Sequence, residues 1–190
     1  MTPNLSSQES GTPSLFVRFV RREVAQIRRL RHPRSVLQSF ITGYLISSNH
    51  LPESLVFVCV KMAGFVVDGP CGLCGAQIGT ANLQIGSGSW VNRGLCIEGA
   101  GSVSIGSGVM IGPQVLILTS THEKVVGGRL DREPSYLPVR IGDNCWIGAR
   151  AMILPGVTIS DDVTVAAGAV VAADIGPDGV YGGVPARRIG

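Results

Sequence analysis

Few side chains in this sequence have the chemistry of a catalyst. Of its three histidines, His32 and His50 lie in the N-terminal third, and His122 stands in the run Thr119-Ser120-Thr121-His122-Glu123. Histidine is the side chain best suited to accept a proton near neutral pH. A lone histidine is also a common structural or surface residue, so its meaning depends on where the chain sets it. No second or third histidine accompanies it to build a metal site, and none is expected. Cys71-Gly72-Leu73-Cys74 has CxxC spacing. Without a second pair, a nearby histidine or the strand–helix setting of a redox motif, it reads as packing cysteines. Asn92 carries an amide that both donates and accepts, which suits a hydroxyl-rich ligand. It equally suits a corner residue bonding its own backbone. Arg187 and Arg188 offer guanidinium forks of the kind that hold phosphate, or plain solubilising charge.

The elements that must position these groups are announced by a period of six. Ile141, Ile147, Ile153, Ile159, Val165 and Val171 follow one another at that interval without a slip. Ile85, Val91 and Ile97 form an earlier triplet, and Ile105, Ile111 and Ile117 another, with two extra residues between them. Neither a helix nor an alternating strand gives this spacing. Each hexad is one short strand and one corner, and three hexads close a triangular coil. The aliphatic residue points inward, and a tight second inward position takes a small or β-branched residue four places on, as at Ala151, Val157, Val163 and Ala169. One coil cannot bury its own face, so coils stack with their strands parallel. The competing arrangement, a β-sandwich with Gly-rich turns, would not keep a fixed interval. The stretch Thr119–Arg140 breaks the period and reads as a loop thrown out from the coil, with His122 at its root. Loops on rigid scaffolds commonly carry function.

The 190 residues include 26 Gly and 5 % aromatics, a balance that suits tight corners and small interior positions. The net charge of +3 is uneven. Arg18, Arg21, Arg22, Arg28, Arg29, Arg31 and Arg34 cluster in one stretch, and the remainder is mildly acidic, so no nucleic-acid partner is implied. Phe16, Val20, Val24 and Ile27 fall near helical spacing, which predicts an amphipathic helix over Leu15–Leu30. Its Arg-rich face reads as a solvated surface that is also suited to weak peripheral contact with a membrane. The apolar stretches Val36–Ile46 and Leu55–Val67 are each too short or too interrupted to span a bilayer. They are expected to cap the end of the main domain. Five cysteines without an evident secretory segment point to reduced thiols in a cytoplasmic protein. The expected organisation is an N-terminal tail and helical segment over 1–66 and the coil domain over 67–190.

Over roughly Gly79–Gly190 the chain resembles the hexapeptide-repeat acyltransferases, specifically the sugar O-acetyltransferase branch with its galactoside, maltose and exopolysaccharide acetyltransferases. The residues that carry the resemblance are Trp90-Val91-Asn92, Thr119-Ser120-Thr121-His122, Ile141-Gly142-Asp143-Asn144-Cys145-Trp146-Ile147-Gly148, Pro155-Gly156-Val157-Thr158-Ile159 and Gly183-Val184-Pro185-Ala186-Arg187. The resemblance implies an all-β fold, a left-handed parallel β-helix with a helical N-terminal segment and an excursion loop. It implies acetyl-CoA as donor, a sugar or glycan hydroxyl as acceptor, no metal, and direct transfer with His122 as general base. The oxyanion would need a hydrogen-bond donor such as a backbone N–H. Asn92 then matches an acceptor contact. A second, acidic contact of the galactoside enzymes falls at Ala100, with Glu98 near enough to substitute, a departure that leaves the sugar open. Trp146 would form a wall of the groove or be buried between subunits. Ala149, Ala167, Ala172 and Ala173 would line the pantetheine arm of CoA, and Arg187 would meet its phosphates. The family works as a homotrimer with active sites between subunits.

Other readings follow from the same residues. An acyltransferase could take an amino sugar, an antibiotic or serine, although serine acetyltransferases carry a larger helical N-terminal domain. Carbonic anhydrase-like β-helices need three converging histidines, which the repeat region lacks. A scaffold that has lost its chemistry would have no reason to keep histidine, asparagine and arginine together.

Overall fold

The computed structural model describes residues 41–47, 51–69, 71–73, 75–80, 82–123, 128 and 131–190. The helix expected over Leu15–Leu30 and its arginine cluster lie outside them, as does Cys74. The described part opens with a π-helix, Ile41–Ile46, and a helix α1, Glu53–Met62. In α1, Val56 and Val60 are one turn apart and both buried, joining Ile41, Ile46 and Phe65 in the same core as the strands. Two apolar residues at i and i+4 are what a short helix needs to lie on an exposed core end.

The strands form three parallel sheets that wind as a β-solenoid of about five coils. The first face is built from β1 (Val66–Val67), β3 (Leu83–Ile85), β6 (Val103–Ile105), β11 (Val139–Ile141) and β14 (Thr158–Ile159). The second face holds β4 (Trp90–Val91), β7 (Met110–Ile111), β12 (Trp146–Ile147), β15 (Val163–Val165) and β17 (Gly179–Gly182). An antiparallel strand, β18 (Arg187–Arg188), finishes that sheet. The third face comprises β2 (Gln77–Ile78), β5 (Cys96–Glu98), β8 (Leu116–Leu118), β13 (Met152–Ile153) and β16 (Val170–Val171).

Register confirms the period as the organising device. Ile85, Ile105, Ile141 and Ile159 stack on the first face. Val91, Ile111, Ile147 and Val165 stack on the second. Ile97, Ile117, Ile153 and Val171 stack on the third. All are buried. Each fully buried aliphatic side chain of this size contributes about 1.5–3 kcal/mol, so the columns carry most of the stability. The second inward positions behave as expected: Ala151, Val157, Val163 and Ala169 are buried. Cys145 takes the same kind of position, with its thiol donating to the Ser160 carbonyl at 3.0 Å. Burial pushes that thiol up, and pushes the buried Cys71 thiol up to about 11.

The corners between first and second faces are joined by carboxylates. Asp143 accepts from the Ser107 N–H at 2.7 Å, and Asp161 from the Asp143 N–H at 2.8 Å, so each side chain ties its corner to the coil before it. Corners between second and third faces demand one residue in the left-handed region. Gly94 and Gly168 supply it without cost, but Gln114 (φ 59°) and Arg150 (φ 58°) adopt it too. Their side chains bond each other, Arg150 Nε donating to Gln114 Oε1 at 2.8 Å.

The break in the period is shorter than expected. Thr119 is fully buried, and Val139 and Arg140 already belong to β11. What leaves the coil is an antiparallel ribbon: β9 (Ser120–Thr121) pairs with β10 (Ser135–Tyr136), Thr121 opposite Ser135 and Ser120 opposite Tyr136. Among the described residues no helix is long and apolar enough to cross a membrane.

Candidate active site

Two corners of the solenoid, one at each edge of the third face, collect the candidate residues. At the first corner, between second and third faces, the column after β4, β7, β12 and β15 is Asn92, Gly112, Gly148 and Ala166, followed by the position of Ala149 and Ala167. At Gly112 and Gly148 the packing leaves no room for a side chain. A Cβ on Gly148 would stand 2.5 Å from the Ala167 nitrogen, and one on Gly112 would stand 2.7 Å from the Ala149 nitrogen. Backbone groups are therefore what the corner presents at these two coils. Asn92 is exposed and its amide oxygen accepts from the Arg93 N–H at 2.9 Å, so the corner role foreseen for it occupies the oxygen and leaves the NH₂ to donate. Trp146 projects outward from β12 and is 57 % exposed, in register with Met110 and Trp90. It is not buried within the chain.

The second corner lies where the third face meets the first. β5 ends there at Glu98, β8 at Leu118, and β16 is followed there by the exposed Ala172 and Ala173. From this corner Thr119 leads into β9 and His122. The histidine is exposed, and its Nδ1 lies 2.8 Å from the Asp131 carbonyl oxygen. A carbonyl can only accept, so this bond needs the proton on Nδ1 and leaves the lone pair on Nε2. The arrangement orients the ring and, among the described residues, leaves Nε2 without a hydrogen-bond partner. The turn that supplies the carbonyl is itself tied: the Asp131 N–H donates to the Glu123 carbonyl at 2.8 Å, and Asp131 Oδ1 accepts from the Glu133 N–H at 3.0 Å. Ser135 Oγ donates to Glu123 Oε1 at 3.1 Å across the ribbon.

Glu98 is at this second corner, where its Oε2 accepts from Ser120 Oγ at 2.7 Å. A groove of about 430 Å³ runs from it under the π-helix, past Cys96, Gln77, Thr42 and Ser47. The Cys96 thiol is pushed up by burial and by the neighbouring Glu98 charge, so it remains protonated near neutrality. A wider depression of about 580 Å³ spreads over the first face around Arg140, Gln84 and Ser104 and touches none of the candidate residues. Arg187, on β18 at the last coil, is exposed, with Nη1 donating to the Ala186 carbonyl at 2.8 Å. Among the described residues no three His, Cys, Asp or Glu side chains converge as a metal site.

Within one chain, then, Asn92, Ala149 and Ala167 share the first corner, while Glu98, His122, Ala172 and Ala173 share the second. One face separates them, roughly 15–20 Å at the rise of an extended strand. The Asp131 carbonyl was beyond sequence reasoning, because any residue carries one. The Ser120–Glu98 contact had a signal, since the period stacks Leu118 on Glu98.

The solenoid is wound from six-residue repeats, and residues 138–173 match the model of the hexapeptide repeat of succinyl-transferase. Further similarity runs to the sugar O-acetyltransferase branch. The galactoside O-acetyltransferase of Escherichia coli (strain K12) is 38 % identical over 109 residues, 57 % of this chain and 54 % of that protein. The chain spans about half the length of the curated relatives it matches. A galactoside acetyltransferase solved in complex with coenzyme A superposes with a TM-score of 0.68 at 29 % identity, over 86 % of this chain and 80 % of that one. A hexapeptide-repeat-containing acetyltransferase of Vibrio cholerae complexed with acetyl coenzyme A gives 0.67 at 28 %, over 87 % and 88 %.

Proposed function

We propose that the protein is an acetyl-CoA-dependent O-acetyltransferase acting on a hydroxyl of a sugar or glycoside by direct transfer. The observation that carries this reading is the bond from His122 Nδ1 to the Asp131 carbonyl. It holds an exposed imidazole with Nε2 as the base, at the root of the only excursion among the described coils. Similarity to a galactoside O-acetyltransferase, and to neighbours solved with CoA and acetyl-CoA, supports the donor and the acceptor class.

In the reaction Nε2 takes the proton of the acceptor hydroxyl as its oxygen attacks the thioester carbonyl. Collapse of the tetrahedral adduct breaks the C–S bond and leaves the acetyl ester. The departing CoA thiolate takes the proton back from the imidazolium. The pantetheine arm runs along small residues, with Ala149 and Ala167 at one corner and Ala172 and Ala173 at the other, where backbone groups can reach it. Arg187 takes the nucleotide phosphates, and the Asn92 NH₂ and the Trp146 ring face the acceptor. The residues of the two corners work together only when the first corner of one copy meets the second corner of another. A homotrimer with three sites between subunits satisfies this, and the exposed Trp90, Met110 and Trp146 give its second face an apolar surface to bury.

The test is thioester cleavage with a panel of galactosides and maltose. His122→Ala should lower kcat by about 10²–10⁴-fold, the usual worth of a general base, with the circular dichroism spectrum and the acetyl-CoA KM unchanged. Equal CoA release by wild type and variant with every acceptor would overturn the reading.

A further inference from the structure

Glu98 invites assignment as an acceptor contact, because it lies near the position where galactoside enzymes carry an acid. Its surroundings indicate another task. Oε2 accepts the Ser120 hydroxyl at 2.7 Å, a short charge-assisted bond. Ser120 is the first residue of the ribbon, and His122 follows two residues later. The main chain of Glu98 is engaged as well: its carbonyl accepts from the Thr119 N–H at 2.8 Å and from the Thr119 hydroxyl at 2.9 Å. That hydroxyl in turn accepts from the Gly101 N–H at 3.1 Å. Contact between the two segments is close, since a Cβ on Gly99 would meet Thr119 Oγ1 and the Ser120 nitrogen. On the far side of the histidine the pattern is repeated, with Ser135 Oγ on Glu123 Oε1. His122 thus sits between two serine–glutamate bonds, one fastening the ribbon to the coil and one fastening the turn that offers the Asp131 carbonyl.

We propose that Glu98 is a positioning residue, which through Ser120 anchors the ribbon so that His122 keeps its Nδ1 bond to Asp131 and its Nε2 aim. The proposal rests on His122 being the base. A base must be held within a few tenths of an ångström of its productive place, and a displacement near 1 Å can cost on the order of 10²-fold. An exposed hydroxyl–carboxylate bond adds little to global stability, so this pair is suited to geometry more than to folding.

The experiment compares Glu98→Ala, Glu98→Gln, Ser120→Ala and the Ala double variant in two readouts. The first is the ¹⁵N spectrum of the full-length protein, which reports the His122 tautomer without any substrate. Glu98→Ala and Ser120→Ala should lose the Nδ1–H form in favour of the mixture of free imidazole, and Glu98→Gln should keep it, because an amide oxygen still accepts from Ser120. The second is turnover of acetyl-CoA with a galactoside. Here kcat should fall roughly tenfold in either Ala variant, no further in the double variant, and recover in Glu98→Gln, with the acceptor KM unchanged. A wild-type tautomer in Glu98→Ala would overturn the anchor. So would a raised acceptor KM at constant kcat, which would make Glu98 the acceptor contact. His122→Ala run alongside separates the two claims: full activity there removes the base itself, whereas an inactive His122→Ala beside a normal Glu98→Ala removes the anchor alone.

Discussion

The two edges of the third face solve the same problem, turning a strand into the next one, by opposite means. The first corner is specified by what is missing. Gly112 and Gly148 have no side chain, so the coil packs against the Ala149 and Ala167 backbones at distances that a Cβ would forbid. The second corner, at Thr119, is specified by what is present: one buried hydroxyl and one carboxylate fasten an excursion that the hexad pattern would not produce. The first kind of corner repeats and leaves backbone groups along the edge at Gly112 and Gly148. The second occurs once among the described coils and yields a directed side chain. A run of backbone groups suits the long, flexible donor of the proposed reaction, and a directed imidazole suits its one proton transfer.

That contrast can be broken in order of expected effect. Gly148→Ala, the smallest addition, should cost about 2–3 kcal/mol by overpacking against backbone that cannot rotate away. Denaturant unfolding would measure it, and an unchanged midpoint would mean that the corner is not closely packed. Thr119→Val keeps the shape but strips the buried Gly101 N–H of its acceptor, while the Glu98 carbonyl keeps the main-chain N–H of residue 119, and should cost about 1–2 kcal/mol. Gly168→Ala sharpens the comparison. Nothing lies within 4 Å of the added carbon, but φ is +71°, so only the left-handed backbone resists. The expected loss is about 1 kcal/mol, below that of Gly148→Ala at the equivalent corner one coil earlier.

Much of the scaffold was legible in the sequence because the cause is periodic. An inward aliphatic every sixth residue is enough to give strands, coils and stacking, and Ile141 to Val171 stack in that register. The corner geometry was only partly legible. Asn144 and Asp162 are side chains that tolerate left-handed φ, but Gln114 and Arg150 adopt it under the constraint of the coil, and their identity gives no warning. The excursion was legible as a lapse, yet its end was placed too late, since Val139 and Arg140 look like loop residues beside Pro138 while the register of β11 claims them. His122 could be picked from its position. Its tautomer could not, because a main-chain carbonyl of Asp131 fixes it. Glu98 stands out in the sequence only as the acid nearest Ala100, where the resembled galactoside enzymes carry one, and it is the stacking of Leu118 on Glu98 that brings Ser120 to it. Nor does the order of residues along the chain reveal that Asn92 and His122 stand at opposite edges of one face.

The division of the candidate residues between two corners makes the central claim testable in a single mixing measurement. His122→Ala has an intact first corner and Ala167→Trp, which covers the backbone groups there, has an intact second corner. Co-expressed with different tags and purified through both, every assembly contains each kind of subunit, and in the proposed trimer the two kinds meet at a fixed share of the junctions. If one site needs His122 from one copy and the first corner from its neighbour, one junction in three is competent. Turnover should then return to about one third of wild type from two inactive parents. Doubly tagged protein as inactive as its parents would show that base and groove do not meet between subunits, and would contradict the account.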